Sequence, residues 1–342
     1  MLTLKTLRDD PERVIAKLKV KNFDAKPIVD KVLELDALRR ALQTESDALL
    51  SVQKQKAAEI GSLMKQGLKD EAEAVKAEVA GIKAKSNDLL ARMDLATKEL
   101  EDNMVLLPNM PCDLVPEGKN SDDNLVVKMG GPEVKLLEGA LPHWELAKKY
   151  DIIDFDLGVK ITGAGFPVYK GKGAKLQRAL INFFLDFNTA AGYKEVEPPV
   201  MVNKESGFGT GQLPDKEGQM YHANLDDFYM VPTAEVPVTN IFRDVILQQN
   251  EIPQRLTAYT PCFRREAGSY GKDVRGLNRL HQFDKVEIVR VEKPEDSYAA
   301  LDDMVAHVEA LVNKLGLKYR ILRLCGGDLS FTSAIPSDFE LW

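Results

Sequence analysis

Cysteine and histidine are scarce in this sequence of 342 residues. Its three cysteines lie far apart without a Cys-x-x-Cys pair, which argues against a disulfide framework and a thiolate zinc site. The four histidines include no His-Glu-x-x-His spacing. No apolar run is long enough to cross a bilayer, and the first residues are too charged for a secretory signal. We therefore expect a cytoplasmic protein with no membrane span and no structural metal.

A phosphate-binding Gly-x-x-x-x-Gly-Lys-Ser/Thr loop is also absent. The segment Gly171-Lys-Gly173 resembles such a loop only superficially, because no strand precedes it and no Ser or Thr follows the lysine. We interpret this segment as a turn before a helix. If the protein handles a nucleotide, side chains on a sheet must therefore bind it.

The net charge of −7 is unevenly distributed. Residues 1–110 carry 19 basic and 19 acidic side chains, so the whole negative excess lies in the remainder. This balance disfavours a generally basic nucleic-acid binder, but it leaves a local binding surface open on the neutral part.

A heptad pattern dominates the first third of the chain. From Leu68 to Leu107, seam positions recur at alternating spacings of four and three residues, and a weaker seam precedes them. The two seams predict an antiparallel coiled-coil hairpin over about residues 27–107, with its turn at Gly61–Gly67. Most such hairpins are spacers or oligomerisation elements, and lysines near the tip leave phosphate binding open as the alternative.

The second half of the chain has the pattern of a mixed fold. Amphipathic helices are predicted at 175–191 and 297–315, and strands at 256–265 and 280–291 are joined by a glycine-rich polar loop at 267–276. Hairpin-linked strands among scattered helices favour the α+β class over a doubly wound parallel sheet.

Charged and aromatic side chains share one face of the predicted hairpin, because side chains alternate along a strand. This face comprises Arg264 and Glu266 from the first strand and Arg279, Phe283 and Glu287 from the second. One interpretation is structural cross-strand ion pairing with Phe283 in the core. The other is a binding surface for a charged ligand.

Several long motifs resemble those of the seryl-tRNA synthetase family of class II aminoacyl-tRNA synthetases. Residues 260–287 resemble motif 2, residues 192–201 resemble motif 1, and residues 231–236 resemble the Thr-x-Glu loop. The likeness covers essentially the whole chain. It implies a long antiparallel coiled-coil hairpin followed by an antiparallel catalytic β-sheet flanked by helices.

The same resemblance implies a division of the chain into three parts. Residues 1–111 would form a tRNA-binding arm, 112–139 a linker and 140–342 a catalytic core. The family pattern continues beyond Trp342, where the resemblance places the magnesium-binding Glu and Ser and the motif 3 arginine. We therefore expect no metal ligand within this C-terminally incomplete core, and impaired serine activation by the isolated chain.

The activity implied by the resemblance is ATP-dependent activation of L-serine and its transfer to the 3′ end of tRNA(Ser), with tRNA(Sec) left open as a second acceptor. The family is dimeric and uses Mg²⁺ with ATP. Arg264 is the implied catalytic residue, bridging the serine carboxylate and the α-phosphate. The implied serine-binding residues are Thr233, Ala234, Glu235 and Glu287. The implied ATP-binding residues are Arg264, Arg265, Glu266, Arg279 and Phe283.

Two alternative functions stay open. A synthetase-like ligase that charges a carrier protein is disfavoured by the long arm, which such relatives are expected to lack. A non-catalytic module that binds tRNA or a protein is disfavoured by the intact set of site residues.

Overall fold

The computed structural model describes residues 2–135, 137–215, 218–266 and 275–342. Of the predicted loop at 267–276, all but Arg275 and Gly276 lies outside the described residues. Contacts divide the chain into two compact units, residues 1–127 with 321–338 and residues 128–320 with 339–342. Within the described ranges, no helix is long and apolar enough to span a membrane.

Helices and strands are mixed along the chain, which confirms the predicted α+β class. The helices are α1 Leu4–Asp9, α2 Pro11–Val20, α3 Lys26–Gln66, α4 Lys69–Met104, α5 His143–Lys149, α6 Phe155–Ile161, α7 Gly171–Ala190, α8 Lys204–Gly209, α9 Glu235–Asn240 and α10 Ser297–Leu315. The strands are β1 Leu125–Gly130, β2 Ile153–Asp154, β3 Val168–Tyr169, β4 Lys194–Glu195, β5 Met201–Val202, β6 His222–Ala223, β7 Phe228–Met230, β8 Gln254–Phe263, β9 Gln282–Val291, β10 Tyr319–Arg323 and β11 Ser337–Leu341. Strand β1 lies inside the segment predicted as a linker.

Helices α3 and α4 pack together as the predicted coiled-coil hairpin. The predicted turn is too long, because α3 continues through Gly61 to Gln66. A glycine within a helix costs only about 1 kcal/mol relative to alanine, which packing along the seam offsets. The chain reverses at Gly67, whose φ of +76° is accessible to glycine without steric strain.

A buried carboxylate joins α1 to the base of the hairpin. Asp36 on α3 is 0% exposed and lies off the predicted seam. Its oxygens lie 2.9 Å from Arg40 Nε, 3.3 Å from Arg39 Nη2 and 3.6 Å from Arg8 Nε. These three guanidinium groups compensate a charge that would otherwise be costly to bury.

The strands of the sheets range in length from two residues in β2 to ten residues in β8 and β9. Strands β8 and β9 pair antiparallel over ten residues, and β4 pairs parallel to β8. Strands β5, β7 and β6 form a second antiparallel sheet in that order, and β2 pairs with β3. Strands β1, β10 and β11 form a further three-stranded sheet.

Helix α7 packs against β8 and β9, and it begins four residues earlier than predicted. Gly171 and Gly173 lie in its first turn, so their interpretation as a turn before the helix is wrong. A Cβ on Gly173 would lie 2.1 Å from the carbonyl oxygen of Ile152. Glycine here allows close approach of two backbone segments, which sequence spacing does not reveal.

A lysine ammonium group joins α2 to a distant segment of the first unit. Lys21 Nζ donates to the carbonyl oxygens of Ser330, Phe331 and Ser333 at 2.9, 3.2 and 2.8 Å. Burial lowers the pKa of Lys21 to about 8, so the amine is mostly protonated at neutral pH and has three protons to donate. The end of α2 is thereby tied to residues 330–333.

We predict that Lys21→Met lowers the free energy of unfolding by about 1–3 kcal/mol, because three carbonyl groups lose their donor. Urea unfolding followed by circular dichroism measures this loss. Lys19→Met, an exposed position on the same helix, is the matched control. Equal stability of the two variants would contradict the prediction.

Candidate active site

One face of the β8–β9 hairpin gathers much of the predicted site. The register places Cys262 opposite Phe283 and Ala258 opposite Glu287. Arg264 follows the end of β8, and its guanidinium lies over the Phe283 ring, 5.1 Å from the centroid. Its Nε also donates to the carbonyl oxygen of Pro232 at 3.3 Å. The cation–π contact and the hydrogen bond together hold this cation at the hairpin surface.

A hydroxyl, a carboxylate and an ammonium group meet beside this arginine. Thr233 Oγ1 donates to Glu287 Oε2 at 2.8 Å. Lys285 Nζ donates to Thr233 Oγ1 at 3.0 Å and lies 3.2 Å from Glu287 Oε2. The Glu235 amide donates to the same hydroxyl at 3.2 Å. Thr233 thus uses its one donor and both acceptor positions, which fixes the geometry of the cluster.

Glu235 is electrostatically disfavoured in its ionised form. The residue is exposed to solvent, but surrounding protein atoms displace much of the water around its carboxylate. This desolvation and the negative charge of Glu287 raise the pKa of Glu235, and Lys285 opposes them. A cation placed between the two carboxylates would relieve this repulsion.

Strand alternation does not place Glu266 and Arg279 on a common face, because neither residue lies in a strand. Their side chains nevertheless contact each other. Strand β8 ends before Glu266, whose φ of +49° breaks the extended geometry, and β9 begins after Arg279. An ion pair of 3.2 Å between Arg279 Nη1 and Glu266 Oε2 brings them together instead.

The remaining predicted residues are placed differently. The Arg265 side chain is exposed, and its amide donates to the carbonyl oxygen of Gln219 at 2.8 Å. The Ala234 side chain is fully buried against Val238, Leu256 and other core residues. The whole residue, backbone included, is 0% exposed.

Lys285 is the site residue that the sequence argument missed. It lies two residues from both Phe283 and Glu287, so the same strand alternation places it on their face. That pattern was sufficient to identify it.

Helix α5 supports the segment that leads into β9. His143 Nε2 accepts a hydrogen bond from the Leu277 amide at 2.7 Å, and the Arg275 guanidinium lies 4.5 Å from the centroid of Trp144. Gly276 has a φ of +62°, and a Cβ there would lie 2.1 Å from His143 Nε2. These contacts hold residues 275–277 close to the start of α5.

The described residues do not gather a set of protein ligands for a magnesium ion. In the described part of the chain, no group of three or more His, Cys, Asp or Glu side chains is arranged to hold a metal ion. The carboxylate of Glu287 is paired with Lys285 instead.

Two family profiles match the sequence. The profile described as "Seryl-tRNA synthetase N-terminal domain" matches residues 1–111, and "tRNA synthetase class II core domain (G, H, P, S and T)" matches residues 219–342. The chain is 47% identical over 342 residues to a serine–tRNA ligase of Salinibacter ruber. That alignment covers 100% of this chain and 80% of the relative.

Solved structures of seryl-tRNA synthetases also superpose on this chain. Seryl-tRNA synthetase from Pyrococcus horikoshii complexed with ATP superposes with a TM-score of 0.91 at 30% identity, covering 100% of this chain and 81% of that one. The cytoplasmic serine–tRNA ligase from Naegleria fowleri in complex with AMP gives 0.86 at 25% identity, with coverages of 100% and 82%.

The electrostatics of Glu235 predict a pH-dependent stability. Because its pKa is raised in the folded state, the folded protein binds this proton more tightly than the unfolded chain. The free energy of unfolding therefore falls as pH rises from the ordinary carboxyl range through the raised pKa. Glu235→Gln removes this loss, so we expect the variant to be more stable than the wild-type protein at pH 7.

Urea unfolding between about pH 4 and pH 8 measures the effect, and the advantage should shrink towards the acid end, where Glu235 is protonated in both states. Glu195→Gln, an exposed position on β4, controls for the loss of one negative charge. The explanation fails if Glu235→Gln follows the wild-type protein at every pH.

Proposed function

Because the chain belongs to the seryl-tRNA synthetase family, we propose that it is an ATP-dependent serine–tRNA ligase. A serine carboxylate oxygen attacks the α-phosphorus of ATP and pyrophosphate leaves, which gives seryl-adenylate. A hydroxyl of the 3′-terminal ribose of tRNA(Ser) then attacks the seryl carbonyl carbon, the bond to the phosphate breaks and AMP leaves. The observation that carries the proposal is the position of Arg264, stacked on Phe283 beside the cluster of Thr233, Lys285 and Glu287.

We propose that the side chains of Thr233, Glu235 and Glu287 form the serine pocket. Glu287 accepts a hydrogen bond from the serine hydroxyl, and Glu235 with Thr233 receives the ammonium group. Thr233 would exchange the hydrogen bond that it accepts from Lys285 for one from the ammonium group. A serine ammonium would supply the positive charge that Glu235 and Glu287 lack between them. A partly desolvated carboxylate left without its donor is costly, so the pocket would reject alanine.

The proposed ATP contacts use the other end of the hairpin. Arg264 holds the serine carboxylate and the α-phosphate together, so the reaction depends on positioning and charge neutralisation. The adenine ring would stack on the Phe283 ring, on the face away from Arg264. Glu266 would accept from the adenine amino group, Arg279 would reach the distal phosphates, and Arg265 lies close enough in sequence to assist.

The proposed partners follow from the family. Residues 1–111 would bind tRNA through its shape and backbone, and residues 112–139 would link this arm to the catalytic core. Residues 140–342 would form that core. The protein would be a cytoplasmic homodimer. Mg²⁺ would enter with ATP, coordinated largely by phosphate oxygens. The carrier-protein ligase and the non-catalytic module are not favoured, since the relatives matched along the whole chain are serine–tRNA ligases.

Thermal melting with separate ligands tests the proposal through binding. Serine and ATP should each raise the melting midpoint of the wild-type protein, because a ligand at 100 times its Kd stabilises by about 2.7 kcal/mol. Alanine and threonine at equal concentration should not. Glu287→Ala should abolish the response to serine and keep the response to ATP.

Phe283→Leu is the matched variant for the nucleotide, since it removes the ring and should weaken the response to ATP alone. The proposal is wrong if alanine protects as well as serine does, or if Glu287→Ala responds to serine like the wild-type protein.

A further inference from the structure

A buried chain of hydrogen bonds reaches Glu287 from the side of the sheet opposite the site. His307 Nε2 on α10 lies 2.7 Å from Asn188 Oδ1 on α7. Asn188 Nδ2 donates to Thr257 Oγ1 on β8 at 2.9 Å, and Thr257 Oγ1 donates to the carbonyl oxygen of Glu287 at 2.8 Å. Asn188 is 4% exposed and Thr257 is 0% exposed, so water does not compete for these groups.

The direction of donation along this chain is fixed at one end. A carbonyl oxygen can only accept, so Thr257 must donate to Glu287 and accept from the Asn188 amide nitrogen. The Asn188 carbonyl oxygen then faces His307, which must be the donor. Burial lowers the pKa of His307 and so favours the neutral ring. Donation to the Asn188 carbonyl oxygen then requires the ring proton to be on Nε2.

The two ends of Glu287 are therefore held by different groups. Its carboxylate contacts Thr233 and Lys285 in the site, and its backbone carbonyl accepts from Thr257 behind the sheet. A residue fixed from both sides has little freedom to shift its carboxylate. Small displacements of a recognition group weaken binding strongly, because hydrogen-bond strength falls steeply with distance and angle.

We propose that His307, Asn188 and Thr257 are positioning residues that hold Glu287 in register for the hydroxyl group of serine. This inference rests on the proposed role of Glu287 in serine binding. A purely structural role for the same bonds would lower stability and weaken all ligands alike. A positioning role would act on serine and leave ATP unaffected.

Isothermal titration calorimetry of the protein with serine and, separately, with ATP distinguishes these roles. Thr257→Val keeps the shape of the side chain but loses the hydroxyl, and we expect it to weaken serine binding about five- to tenfold, with ATP binding changed less than about twofold. Thr257→Ser restores the hydroxyl and should restore serine affinity. Thr189→Val is the matched control, since that hydroxyl bonds within α7 to the Leu185 carbonyl oxygen.

A second variant keeps the test decisive if Thr257→Val fails to fold. His307→Leu removes the first donor at the half-buried end of the chain, and it should also weaken serine more than ATP, whereas His307→Gln retains a donor. Equal losses for both ligands, or unchanged serine affinity in both Thr257→Val and His307→Leu, would overturn the proposal. Glu287→Ala distinguishes a failure of the proposed pocket from a failure of this inference, because unchanged serine affinity in that variant would refute both together.

Discussion

The ten-residue antiparallel register of β8 and β9 is the constraint on which the site depends. It sets Phe283 opposite Cys262 and Glu287 opposite Ala258, so that every second residue of β9 projects towards the same side as Arg264. A slip by one residue would turn Phe283, Lys285 and Glu287 to the opposite face. Helix α7 packs against both strands and protects this register.

The site combines charges that oppose folding with charges that favour binding. Glu235 and Glu287 repel each other, and Lys285 offsets the repulsion only in part. An arrangement of this kind costs stability in the empty protein and favours the arrival of a cation, which in the proposed function is the ammonium group of the substrate. Behind the sheet, the buried side chains of Asn188 and Thr257 form hydrogen bonds that reach the backbone carbonyl of Glu287, which carries one of the two carboxylates.

The hairpin of the first unit is stabilised mainly by apolar packing between its two helices. Its long hairpin is held by a repeating apolar seam, and its exposed positions mix charged side chains with alanine, serine and glutamine. An ion pair of 3.0 Å between Lys56 and Glu78 joins α3 to α4 along the hairpin. Near the base, Asp36 contacts three arginines and Lys21 donates to three carbonyl oxygens. Such contacts fix orientation more than they add stability.

The sequence alone determined the elements whose signal is local and periodic. The heptad seam predicts α3 and α4, the amphipathic pattern predicts α10 from Ser297 to Leu315, and strand alternation places Phe283 and Glu287 on one face. Tertiary structure decided the contacts between residues far apart in the chain. The Glu266–Arg279 ion pair, the burial of the Ala234 side chain, the close approach at Gly173 and the chain from His307 to Glu287 all belong to this class. A periodic pattern reports which side of its own element a residue occupies, whereas these contacts depend on which other element packs against that side.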